Sequence, residues 1–243
     1  MKLIAEKVIK NLDNVIDANQ IDIKLMENYD TDENFNQVSS SENKSISNIT
    51  CSSLSEYQSE KINCELKSKN QNILLKLSRL KNNTDVLMRI AKATNNNKWI
   101  KHFIVRKSKI TIKDAKILAN ILAKTKSISW LAIDQNNINN AKLTEIVTGL
   151  EKNQSISHII LSKNKFSDKS FSLFLSKIEK KHNIRSIFAQ GNQISKKSNR
   201  AILNFIKKSK SIKIIDLRDN KLTIEVKKEI KKACLNKNIR CYI

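Results

Sequence analysis

The chain contains no proline and only two glycines among its 243 residues, which excludes collagen-like and proline-rich linker architectures. No stretch approaches the roughly eighteen consecutive apolar residues of a bilayer-spanning helix. At the N-terminus, Glu6, Lys7 and Lys10 interrupt any apolar core of a signal peptide, so neither a classical leader nor a transmembrane helix is expected. Cysteine is scarce as well: Cys51, Cys64, Cys234 and Cys241 form no C-x-x-C pair, so reduced thiols are expected and no metal site. The three histidines, His102, His158 and His182, have no recognisable nucleophile beside them, and neither a glycine-rich phosphate loop nor an H-E-x-x-H helix is present. A non-catalytic protein without a cofactor is the expectation.

Acidic residues are the other shortage, with 23 Asp plus Glu against 46 Lys plus Arg. The imbalance is uneven: residues 1–70 hold 8 Lys and 12 acids, a net −4, whereas the remainder holds 38 basic against 11 acidic residues, a net +27. Opposite signs on the two parts allow the acidic segment to be held against the basic one until a partner displaces it. Lysine far outnumbers arginine, which weakens the case for selected bidentate phosphate recognition, and the Asn, Lys and Ile usage has the character of an AT-rich genome.

What the chain does have is a period. Ile100, Ile128, Ile156, Ile184 and Ile212 each stand 28 residues after the one before, and a fixed period of this length marks a solenoid. Within each unit the apolar pairs Phe103/Val105, Leu131/Ile133, Ile159/Leu161, Ile187/Ala189 and Ile215/Leu217 alternate as in a strand with one buried face. Asn136, Asn164, Asn192 and Asn220 follow, and then Ile138, Phe166, Ile194 and Leu222. A second apolar pattern has helical spacing: Ala115, Leu118, Ala119 and Leu122; Leu143, Ile146, Val147 and Leu150; Phe171, Phe174, Leu175 and Ile178. Each unit is thus a strand, an Asn-containing turn and a helix, and it buries its apolar faces only when stacked on a neighbour.

The segments ISHIILSKNKF and IKIIDLRDNKL fit the pattern L-x-x-L-x-L-x-x-N/C-x-L, and from Trp99 to about Asn238 the chain resembles the ribonuclease-inhibitor-like leucine-rich repeats. Asp114 departs from that family, standing where Gly is usual, and Ser108 replaces the first Asn, which predicts a weaker turn there. The resemblance implies an α/β, right-handed solenoid, a horseshoe with a parallel β-sheet on the concave face and α-helices on the convex face, used to bind other proteins. The fold by itself names no partner.

Three domains are expected. Residues 1–70 begin with an apolar stripe at helical spacing, Leu3, Ile4, Val8, Ile9, Leu12, Val15 and Ile16, then become a polar stretch over 30–60 with the composition of a disordered linker. Residues 71–98 read as a helical N-terminal cap, and 99–243 as the repeat domain. KLTIEVKKEIKKACLNKN closes the far end, and Ile239 and Tyr242 begin a last strand one residue short of the period.

Function is read from the outward strand positions, which stacking converts into columns about 5 Å apart. One column runs His102, Trp130, His158, Ser186, Ile214; the next Ile104, Ala132, Ile160, Phe188, Asp216; a third Arg106, Asp134, Ser162, Gln190, Arg218. Trp130, Ile160 and Phe188 are expected at the centre of a protein interface, with His102, Ile104 and His158 beside them and Arg106, Asp134 and Arg218 as rim charge. The alternative uses the lysines of SKKSNRAILNFIKKSKSIK and KKEIKK, a basic surface for non-specific attachment to nucleic acid or an anionic membrane. A monomer is expected, either cytoplasmic or delivered into a host cell by a non-classical route.

Overall fold

The structure is a computed structural model that describes residues 46–51, 72–80, 83–94 and 97–243. The chain divides into two compact units, Met1–Lys44 and Ser45–Ile243, and all described residues belong to the second. The helix expected over residues 2–17 lies outside the described residues.

Among the described residues, eight strands form one sheet in strict chain order, each pair parallel: β1 (Ile46–Cys51), β2 (Asn72–Ser78), β3 (Ile100–Arg106), β4 (Trp130–Ala132), β5 (His158–Ile160), β6 (Ser186–Phe188), β7 (Ile214–Asp216) and β8 (Arg240–Tyr242). From β2 onward a helix separates successive strands: α1 (Asn83–Thr94), α2 (Ile112–Lys124), α3 (Asn140–Lys152), α4 (Asp168–Ile178), α5 (Asn199–Lys208) and α6 (Ile224–Leu235). This is an α/β repeat of parallel strands alternating with helices. From β3 to β7 partners are 28 residues apart, as in Phe103↔Leu131 and Ile159↔Ile187.

The inward strand residues and the apolar faces of the helices make one continuous cluster from Leu75 to Ile239, in which Phe103, Phe166, Phe171, Phe174 and Phe205 are the largest fully buried side chains. All five isoleucines of the 28-residue column lie in it. Helix α3 comes close enough to α2 that a Cβ on Gly149 would stand 2.2 Å from the Ala119 carbonyl oxygen, so this glycine is required by packing.

Two expectations about the N-terminal side are corrected. Residues 71–98 are not a helical cap: β2 pairs with β3 and α1 follows it, a complete strand–helix unit. The unbroken run Ile73–Leu74–Leu75 hides the alternation that marks the other strands. Within the stretch read as a linker, ISNITC forms β1, whose β-branched Ile46, Ile49 and Thr50 suit an extended backbone and whose hydrogen bonds cover the edge of β2. At the far end the last strand forms, but Ile214 pairs with Arg240, 26 residues on, two short of the period rather than the one expected.

The turns explain the remaining polar positions. Arg79, Lys107, Gln135, Lys163, Gly191 and Asp219, spaced by 28, all have φ between 50° and 65°; the chain turns through the left-handed region after these strands although only one of the six is glycine. Asn side chains hold that turn. Asn164 Nδ2 donates to the Ile133 and Leu161 carbonyls at 3.0 Å, and its Oδ1 accepts from the Asn136 and Ile138 amides at 2.9 and 3.0 Å. Ser108 does part of this work at the first turn, accepting from the Leu80 amide and donating to the Arg106 carbonyl. Asp114 completes a capping box with Thr111 and also accepts from Thr84 of the preceding unit, which accounts for an acid where glycine is usual. At the opposite helix ends, Asn153, Lys181 and Lys237 donate to C-terminal carbonyls of the preceding helix.

Candidate partner-binding surface

Strand residues alternate between the helical layer and the opposite face of the sheet, and the second set makes the three columns read from sequence. Register brings them together: His102↔Trp130↔His158↔Ser186↔Ile214↔Arg240 in one, and Ile104↔Ala132↔Ile160↔Phe188↔Asp216↔Tyr242 in the next.

The first column is a stack. The His102 and Trp130 rings meet edge-on with centroids 6.0 Å apart, Trp130 and His158 stack at 4.8 Å, and His158 Nδ1 lies 2.7 Å from Ser186 Oγ. All three rings are half-buried. The Trp130 indole N–H finds no acceptor among the described residues, although a buried indole ordinarily has one. Burial, with Arg185 and His102 nearby, pushes His158 down to about 4, so its imidazole is neutral at pH 7.

The second column differs from the expectation of a solvent-facing patch. Ile104, Ala132, Ile160 and Phe188 are 3, 0, 4 and 3 % exposed, yet none belongs to the cluster packed against the helices. The physical reason is the property that made the row conspicuous in sequence: branched and aromatic side chains at strand spacing cost about 25 cal/mol for each Å² left in water. Among the described residues of these columns, the half-buried or exposed ones are His102, Trp130 and His158 on one side and Gln190, Arg218, Arg240 and Tyr242 toward the other end.

Rim charge is corrected too. Arg106 Nε donates to Asp134 Oδ2 at 2.8 Å across β3 and β4, both side chains about 5 % exposed, so the pair is an internal tie. Burial raises the Asp134 carboxyl above the ordinary value against the pull of Arg106. Arg218 does remain at the rim: its side chain is 38 % exposed, its Nη2 donates to Asp216 Oδ2 at 2.6 Å, and its guanidinium lies 5.6 Å from the centre of the Tyr242 ring.

Tyr242 and Arg185 were not picked out as site residues from sequence. Tyr242 was obscured by the shortened last spacing; Arg185 precedes its column by one residue and acts on His158 by charge. Exposed lysines occupy another region, where Lys124, Lys152, Lys180 and Lys208 recur at 28-residue spacing at or just beyond the helix C-termini. Among the described residues no group of three or more His, Cys, Asp or Glu could hold a metal ion, and no helix is long and apolar enough to cross a membrane.

No family model matches this chain, and no curated protein matches it. Among solved structures it is similar to the crystal structure of an internalin from Listeria monocytogenes, at 17% sequence identity and a TM-score of 0.40, over 71% of this chain and 54% of that one. The chain thus spans about half the length of the internalin.

Proposed function

We propose that this leucine-rich-repeat chain is a non-catalytic module that binds a protein partner on the sheet face opposite its helices, in the role of an effector or regulatory scaffold. The observation that carries this reading is the His102–Trp130–His158 stack: three half-buried rings in register, with an indole N–H that lacks an acceptor, beside an apolar row. Half-exposed aromatic rings held in register on a rigid sheet are the kind of anchor that interface centres use. The full α-helix in each complete unit supports the ribonuclease-inhibitor-like subtype.

The non-catalytic reading has its own support. Ser186, the hydroxyl beside His158, is fully buried, and a histidine held near 4 is a weak base at neutral pH. Attachment to nucleic acid or an anionic membrane is the second reading, favoured by the lysine row. It ranks lower because a lysine at a helix C-terminus already complements the helix dipole, and Lys208 is paired with Glu179 at 3.0 Å.

Capture from cell lysate by the intact chain and by a folded His102→Ala/Trp130→Ala variant tests the first reading. A protein retained by the intact chain and lost by the variant supports it. Identical captures by both overturn it.

A further inference from the structure

In each full repeat, one residue near the end of the helix and the middle residue of the following strand both belong to the core: Leu122 with Leu131, Leu150 with Ile159, Ile178 with Ile187, Ile206 with Ile215. The last repeat keeps the geometry and changes the chemistry. The corresponding residues are Cys234 in α6 and Cys241 in β8, the latter in register with Ile215. Cys234 is fully buried in the core, Cys241 is half-buried against it, and both are free thiols. The two thiols are close enough to perturb one another's ionisation in opposite directions.

We propose that Cys241 is a thiol–disulfide exchange site resolved by Cys234, so that a low-molecular-weight disulfide of the glutathione class converts the pair into an intramolecular disulfide tying β8 to α6. The division of labour follows from the surroundings. Cys241 is the half-buried thiol that a small oxidant can reach; the adjacent Cys234 thiol and the Lys231 ammonium favour its thiolate against burial and Asp216, while Cys241 beside it and burial hold Cys234 protonated. The Cys241 thiolate attacks one sulfur of the oxidant, forming a mixed disulfide and expelling one thiolate, which takes up a proton. Cys234 then gives up its proton and attacks the Cys241 sulfur of the mixed disulfide, expelling the second small thiol. Two protein thiols are oxidised and one small disulfide is reduced to two thiols.

The consequence is local. β8 is a three-residue edge strand carrying Arg240 and Tyr242, the last members of the two outer columns. Oxidation would fasten that end of the face. This inference stands whether or not the face binds a partner.

The test uses the full chain with Cys51→Ser and Cys64→Ser, so that only this pair remains, incubated folded with oxidised glutathione at mildly alkaline pH and read by intact mass and peptide mapping. The expected result is the loss of two hydrogens with no retained glutathione, a Cys234–Cys241 cross-link, and a melting temperature that rises on oxidation and returns on reduction. Adding Cys234→Ser should leave one glutathione trapped on Cys241, and adding Cys241→Ser should leave none. If both thiols stay free, or glutathione persists on Cys241 with Cys234 present, while the guanidinium-unfolded chain is oxidised under the same conditions, the proposal is overturned.

Discussion

Asn164 and Asn192 occupy the same position in successive turns and are equally buried, each 6 % exposed, yet replacing them with alanine should have unequal effects. Asn164 Oδ1 is the acceptor for the Asn136 and Ile138 amides, both inside the protein, so Asn164→Ala leaves two buried N–H groups without partners. At about 1–2 kcal/mol for each orphaned donor, the loss is about 2–4 kcal/mol. Asn192 Oδ1 has no hydrogen-bond partner among the described residues, and its Nδ2 donates to the Leu161 and Ala189 carbonyls. Those carbonyls keep other donors when Asn192 is removed, Asn164 Nδ2 for Leu161 and Asn220 Nδ2 for Ala189. Asn192→Ala therefore orphans no donor, and its cost is about 1 kcal/mol. Urea denaturation of the two variants beside the parent, with unchanged m-values, measures the difference. Equal losses, or a larger one at Asn192, would refute the claim that acceptor-side bonding to the preceding turn is what the ladder contributes.

Three further perturbations follow from the packing and the charges. Gly149→Ala should lower stability by about 2 kcal/mol or more, because the clash with the Ala119 backbone exceeds the roughly 1 kcal/mol gained in helix propensity; exposed Thr148→Ala is the neutral control, and thermal melting compares them. Asp134→Ala should lower stability by removing the buried carboxylate to which Arg106 Nε donates, and Arg106→Met/Asp134→Leu should recover most of the loss; a double variant no better than the single one argues against the ion-pair account. His158 has its folded pKa depressed from 6.5 to about 4, so the unfolded chain binds this proton first. Its contribution is complete above pH 6.5 and is lost as pH falls through 4, by up to about 3 kcal/mol. Denaturation across that range should show a shallower acid slope in His158→Gln; parallel slopes would contradict the assignment.

Much of the fold was legible because one number, 28, set every strand from β3 to β7 and the helices between them. It failed where the period did. β2 lies only 27 residues before β3 at Ile73↔Ile100 and then shifts register, and its continuous apolar run masks alternation, so a complete unit read as a cap. The C-terminal carbonyl contacts were invisible for a different reason: Asn153, Lys181 and Lys237 do one job with unlike side chains. At the candidate face, periodicity assigned residues to columns but carried no information on shielding. Arg106 and Asp134 looked like a charged rim and form a buried tie; Ile160 and Phe188 looked like the open centre and are enclosed. Trp130 was found from sequence, but its unpaired indole and its stacking on His158 required coordinates.

With a captured partner in hand, the deciding measurement is its affinity for the intact chain, for His102→Ala/Trp130→Ala, and for Lys124→Glu/Lys152→Glu/Lys180→Glu. Binding through the sheet face predicts a loss of about tenfold or more in the first variant, as for truncated aromatic anchors, and little change in the second. The reverse order, with affinity falling steeply as salt rises, would place the working surface on the lysine row and contradict the account.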